Sequence, residues 1–67
     1  MKKKARGIDN FDLGEIQEIE QDYVVTRKGL IGIDEFYVPK ELLEKYDGVN
    51  VVFRIEKKDA QLFKRGL

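Results

Sequence analysis

The side chains that most often perform catalysis are nearly absent from this chain of 67 residues. It contains no Cys, His, Ser or Trp, and Thr26 is its single threonine. Acid–base chemistry would then depend on carboxylates, lysines and tyrosines, which act near neutral pH only when burial or neighbours shift their pKa far. A chain this short builds one small core with little room for such burial. We therefore predict that the protein is not an enzyme and uses no cofactor.

One metal-binding pattern is present only in part. Asp9, Gly14 and Glu20 have the spacing of the first, sixth and last positions of an EF-hand calcium loop. The third and fifth positions must supply oxygen ligands, yet they are occupied by Phe11 and Leu13. We predict an acidic, solvated hairpin here and no metal site.

The charged residues are balanced in number but segregated along the chain. Thirteen basic residues match thirteen acidic ones, yet residues 1–8 carry +4, residues 9–22 carry −6 and residues 54–67 carry +3. Basic ends are candidate contacts for nucleic acid or an acidic partner. The candidate contact residues, including one aromatic, are Lys2, Lys3, Lys4, Arg6, Arg27, Lys28, Tyr37, Lys57 and Lys58.

No segment of the sequence has the pattern of a membrane span or of a secretory signal. The longest apolar runs are a few residues long, whereas a bilayer span needs about 20. The basic start is not followed by the apolar stretch that a secretory signal requires. We predict a cytoplasmic protein without membrane insertion.

Several segments have the pattern of β-strands. Residues 49–56 alternate, with Val49, Val51, Phe53 and Ile55 on the inward face. Residues 23–28 and 35–38 are rich in β-branched and aromatic residues, so we predict strands there, with Phe36 and Phe53 in the core and Tyr37 partly exposed on the opposite face. Residues 29–32 predict a turn with positive φ, and residues 39–46 predict a short helix that begins at Pro39 and stops at Gly48.

Residues 12–22 fit two structures. Leu13, Ile16 and Ile19 recur at a spacing that suits an amphipathic helix, and Asp12 with Glu15 has the form of a capping box. A strand is the alternative, if a β-bulge shifts the phase between Ile16 and Ile19 and the chain turns just beyond. Periodicity alone leaves both open.

The order of these motifs resembles the PRC-barrel superfamily, and in particular its short stand-alone members of unassigned function. The motifs that carry the resemblance are Gly14-x-Ile16-x-x-Ile19, Asp22-Tyr23-Val24-Val25, Glu35-Phe36-Tyr37-Val38-Pro39, Leu42-Leu43, Asp47-Gly48 before VNVVFRI, and Asp59-Ala60. The resemblance implies a mainly β fold, a small SH3-like antiparallel barrel over residues 7–60. It implies a strand at Gly14, a hairpin turn at Gln21-Asp22, the end of a strand at Tyr37-Val38-Pro39 and a helical turn after Pro39. Residues 1–6 would form a flexible basic arm and residues 61–67 a tail.

The resemblance also implies docking on other proteins rather than catalysis, because the pattern contains no catalytic residue. We predict a protein–protein interaction or assembly module whose partner is another protein or a second copy of the chain, paired as a homodimer through an unclosed strand edge. The alternative is a small barrel associated with nucleic acid or the ribosome through its basic termini, to which Lys64 and Arg65 also belong.

Overall fold

The protein is mainly β-structure, as expected. The computed structural model describes residues 3–29 and 31–66, so Lys2 lies outside the described residues. Within these ranges the chain forms seven strands: β1 (Lys4–Gly7), β2 (Asp12–Ile19), β3 (Tyr23–Lys28), β4 (Asp34–Pro39), β5 (Leu43–Tyr46), β6 (Asn50–Phe53) and β7 (Lys64–Gly66). The helical pieces are a 3₁₀ helix at Lys40–Leu42, the four-residue helix α1 (Lys57–Ala60) and a second 3₁₀ helix at Gln61–Phe63.

The described strands form a single sheet in the order β5-β6-β1-β2-β3-β4-β7. All neighbours are antiparallel except β1 and β6, which are parallel. Phe36 and Val38 of β4 and Phe53 of β6 are almost completely buried, although these strands are far apart in the order. Because no second sheet covers them in the described chain, the sheet must curl over its own inner face. It remains open, with β5 and β7 at its ends, so closure into the expected barrel is not observed.

Strand β2 settles the two alternatives for residues 12–22 in favour of the bulged strand. Its pairing register slips twice, once opposite β1 next to Leu13 and once opposite β3 between Ile16 and Glu18. The first slip coincides with Gly14 at φ +89°, a conformation that strongly favours glycine. The first slip brings both Leu13 and Ile16 into the core despite their odd spacing.

The described parts of the expected arm and tail take part in the sheet. Lys4–Gly7 is a strand that pairs with both β2 and β6, and Ala5 within it is fully buried. At the other end, Phe63 packs against the core and Lys64–Gly66 pairs with β4. A polar segment such as Lys4–Gly7 has no strong strand pattern of its own, because its place is decided by partners far away in sequence.

The segment after Pro39 is only partly helical. The 3₁₀ helix ends at Leu42, and the residues predicted to continue it form strand β5 instead. The strand predicted for residues 49–56 is shorter, and Val49 is 63% exposed rather than inward. The strand predictions for residues 23–28 and 35–38 are confirmed, as are the buried Phe36 and Phe53.

The turn predicted for residues 29–32 is confirmed where the structure describes it. Gly29 and Gly32 both have positive φ, at 104° and 66°. Tyr37 is partly exposed on the face opposite Phe36, as expected.

Candidate partner-binding groove

An apolar groove of about 340 Å³ opens on the inner side of the sheet, between the β2–β3 hairpin and strands β5 and β6. Its lining consists of Ile16, Ile19, Val24, Leu43, Tyr46, Val51 and Phe53, with Lys3 and Lys40. Ile16, Val24, Val51 and Phe53 are core residues, so the groove is continuous with the core of the protein. We refer to this set as the groove.

Three side chains of the groove stand out from the surface. Ile19, Leu43 and Tyr46 are 64%, 47% and 51% exposed. Ile19 pairs with Val24 at the far end of β2, beyond the second bulge, and Leu43 and Tyr46 lie on the end strand β5. Isolated exposed apolar residues are ordinary, but a concave group that continues the core marks a candidate binding site.

Lysines are the charged residues that line the groove in the described structure. The Lys3 ammonium lies 5.0 Å from the centroid of the Tyr46 ring, in a cation–π arrangement. Lys40 is held at the other wall, where its backbone N–H donates to the carbonyl of Asp22 at 2.9 Å. The groove therefore combines apolar walls with positive charge.

Glu20 and Asp22, at the tip of the β2–β3 hairpin, follow Ile19 closely in the chain. Both are exposed, and the Glu20 N–H donates to the carbonyl of Tyr23 at 2.8 Å, which closes the hairpin. Gln21-Asp22 therefore lies at the predicted turn. Negative charge stands beside the groove without lining it.

Two predicted contact residues, Arg27 and Tyr37, lie on the outer face of the sheet and are already engaged. The Arg27 guanidinium donates twice to one oxygen of the nearly buried Glu35 carboxylate, at 2.8 and 3.1 Å. The Tyr37 ring stacks on Tyr23 with a centroid distance of 5.5 Å, and Arg65 lies over it at 5.7 Å. Since β4 lies between β3 and β7, these neighbours flank Tyr37 from both sides and leave it poorly placed to stack on a base.

The Tyr37 hydroxyl is held in its neutral form by the same cluster. Its hydrogen bond to the Glu35 carboxylate, together with the negative charge of that group, raises the pKa of Tyr37 above its ordinary value of 10.0. Arg27, Glu35 and Tyr37 thus satisfy one another on the outer face.

Three further predicted residues come together around Phe11. The Lys28 ammonium lies 4.6 Å from the Phe11 ring centroid, and Lys57 and Lys58 line a cleft with the same ring. That cleft also contains two carboxylates, Asp9 and Glu56. The Lys57 N–H donates to Asp9 Oδ2 at 3.0 Å, and this bond above all holds the pKa of Asp9 below its ordinary value of 3.8. The acidic groups offset much of the positive charge in this cleft.

The remaining predicted residues, Lys4 and Arg6, lie on β1. Their register partners on β2 are Glu15 and Asp12, so each cation stands opposite an acid. The structure thus distributes the described basic candidates over four places: the groove, the outer face, the Phe11 cleft and β1. Binding of nucleic acid through the basic termini stays a prediction.

Sequence reasoning missed Ile19, Leu43, Tyr46 and Lys40 as site residues. Leu43 and Tyr46 lie in the segment for which the sequence predicts a helix, and the structure forms strand β5 there instead. One signal was available for Ile19, an isoleucine surrounded by acidic residues at the end of a strand whose phase has slipped. No local pattern indicates that these residues share one groove.

No known family, curated protein or solved structure matches this chain. In residues 3–29 and 31–66, His, Cys, Asp and Glu form no group of three or more able to hold a metal ion. No helix in the same ranges has the length and apolar character to cross a membrane.

Proposed function

We propose that the protein is a non-catalytic protein–protein interaction module of PRC-barrel type, and that the groove is its binding surface. The observation that carries the proposal is the exposure of Ile19, Leu43 and Tyr46 in a concavity that continues the core. An apolar surface of this kind is stabilised when a partner removes it from water.

Four local features support the proposal that the module is of PRC-barrel type. The segment around Gly14 is a strand, the turn at Gln21-Asp22 joins two strands, β4 ends at Pro39, and a helical turn follows. Each of these is what the resemblance to PRC-barrels implies for this sequence. The curled sheet is compatible with an incompletely closed barrel.

The chemistry of the groove indicates what kind of partner it would accept. Its walls are aliphatic and aromatic, and the charged side chains that line them in the described structure are Lys3 and Lys40. The complementary occupant is a protein segment with an apolar anchor residue next to carboxylates. A strand at the sheet end, β5, is hydrogen-bonded on one side only and offers backbone groups to such a segment.

The placement of the titratable groups supports a binding role over a catalytic one. The residues with shifted pKa in the described chain are Asp9, Tyr37 and Asp47, and all of them lie outside the groove. Among the described residues, no carboxylate lines the groove together with Lys3 and Lys40 to act as the second member of an acid–base pair.

Peptide selection tests the proposed function. A random peptide library displayed on phage should enrich peptides in which an aliphatic or aromatic residue adjoins Asp or Glu. Titration of a selected peptide, followed by NMR, should shift the amides of Ile19, Leu43 and Tyr46. The variant Leu43→Glu places a negative charge in the groove and should weaken binding by at least about tenfold, as for loss of a hot-spot contact.

The matched control is Leu62→Glu, which changes another exposed leucine, one outside the groove. It should bind the selected peptides as tightly as the parent chain. Failure to enrich any peptide, or equal binding by the Leu43→Glu variant, would reject the groove as a binding surface.

A further inference from the structure

We propose that the partner of the groove is a second copy of this chain, docked around a two-fold axis with groove against groove. This inference rests on the proposed function, because it names the partner of the same site. A two-fold interface brings the same patch of both copies together, so the patch must complement itself in shape and in charge.

The apolar part of the groove has a shape that can complement a second copy of itself. Ile19 projects from one wall, and Leu43 and Tyr46 from the other, with the core residues between them. In a two-fold pair, each copy supplies these three projecting side chains to the apolar floor of the other. Contacts of this kind remove the exposed fraction of all three from water at once.

The charges around the groove can also complement those of a second copy. Lys3 and Lys40 line it, while Glu20 and Asp22 stand on the adjoining hairpin tip. None of these four side chains has an ion-pair partner within 4.0 Å in the described structure, whereas Arg27, Lys64 and Arg54 each have one. We assign the lysines of one copy to the carboxylates of the other, a pairing that the symmetry repeats twice.

The remaining properties of the chain are compatible with self-association. Its net charge is zero, so two copies do not repel each other at long range. A standard interface takes about 800 Å² per partner, which is about a sixth of the 4776 Å² surface of this chain. Three projecting apolar side chains give an interface at the small end of the size range of protein–protein interfaces. We therefore expect a dissociation constant on the order of tens of micromolar.

Sedimentation velocity over a concentration series tests this inference. The parent chain should sediment as a 7.8 kDa monomer when dilute and approach twice that mass at about millimolar concentration. A lysine variant, Lys3→Glu with Lys40→Glu, makes the whole patch acidic. A tip variant, Glu20→Lys with Asp22→Lys, makes it basic. Each should remain monomeric alone, and an equimolar mixture of the two should form a heterodimer.

The mixture also shows that both variants are folded, because an unfolded chain would not restore pairing. As a control, Lys4→Glu with Lys58→Glu reverses two exposed charges outside the groove and should associate like the parent chain. A parent chain that stays monomeric at about millimolar concentration, where a tens-of-micromolar dimer is mostly formed, would overturn the inference. The same holds if either variant associates alone as the parent does, or if the mixture stays monomeric.

Failure of this inference and failure of the proposed function are distinguishable. If copies do not pair but selected peptides still bind the groove, the interaction module stands and its partner is another protein. If neither copies nor peptides bind, both proposals fall.

Discussion

The single threonine of the chain gives the sharpest test of how the core is held together. Thr26 is 0% exposed on β3, where its register partners are Ile16 and Phe36, and its Oγ1 has no hydrogen-bond partner in the described structure. A hydroxyl buried without a partner has lost its bonds to water and gained none in return. Replacing Thr26 with Val substitutes a methyl group of similar size and removes that penalty.

The expected size of the effect follows from two contributions. An unsatisfied buried hydroxyl costs about 1–3 kcal/mol, and the new methyl group adds apolar burial. Part of this gain is lost if the surrounding side chains fit the new methyl group imperfectly. We expect Thr26→Val to raise the free energy of unfolding by about 1–2 kcal/mol. For a domain of this size that corresponds to a rise in Tm of about 4–16 °C.

Urea denaturation followed by circular dichroism measures this change directly. The midpoint should rise while the m-value stays the same, because the surface exposed on unfolding is unchanged. Val24→Thr is the reverse control on the same strand and face, where it buries a hydroxyl among apolar neighbours and should lower stability by about 1–3 kcal/mol. If Thr26→Val is neutral or destabilising, the hydroxyl has a partner and the reasoning is refuted.

Further predictions concern the backbone and two carboxylates. Gly14→Ala combines φ +89° with a Cβ placed against a β3 carbonyl. It should cost about 3 kcal/mol or more in urea unfolding, whereas Gly48→Ala, at φ +95° with open space around the Cβ, should cost about 1–2 kcal/mol. The hydrogen bond from the first N–H of α1 lowers the pKa of Asp9 below 3.8. This hydrogen bond therefore stabilises the fold above that pH, and its contribution is lost as the pH falls towards the lowered pKa. The difference in unfolding free energy between the parent chain and Asp9→Asn should shrink between neutral pH and about pH 3. A constant difference would contradict this. Glu35→Gln removes the charge that raises the pKa of Tyr37, so a tyrosinate absorbance titration should show that pKa falling towards 10.0; an unchanged titration would assign the shift to another cause.

Local sequence patterns predict those strands that are determined mainly by their own residues. Alternation and β-branched content indicate β3 and the centre of β4, and the odd spacing of Ile16 and Ile19 indicates a bulge once a strand is assumed. The parallel pairing of β1 with β6 leaves no such signal. Its partners, such as Ala5 and Val51, are far apart in sequence, and a short polar segment becomes a strand only because β2 and β6 lie on either side of it.

The second bulge of β2 links the fold to the proposed site. Without that slip, strict alternation would point Ile19 to the outer face, opposite Ile16; with it, both pair with inward residues of β3, and Ile19 lines the groove. Ile16 lies within the core, but Ile19 lies beyond it and is only partly covered. A polar substitution at Ile19 should therefore change association much more than stability, whereas one at Ile16 should first destabilise the fold. The groove is the part of the inner face that the small core of this chain leaves exposed to water, and an apolar partner would bury that surface.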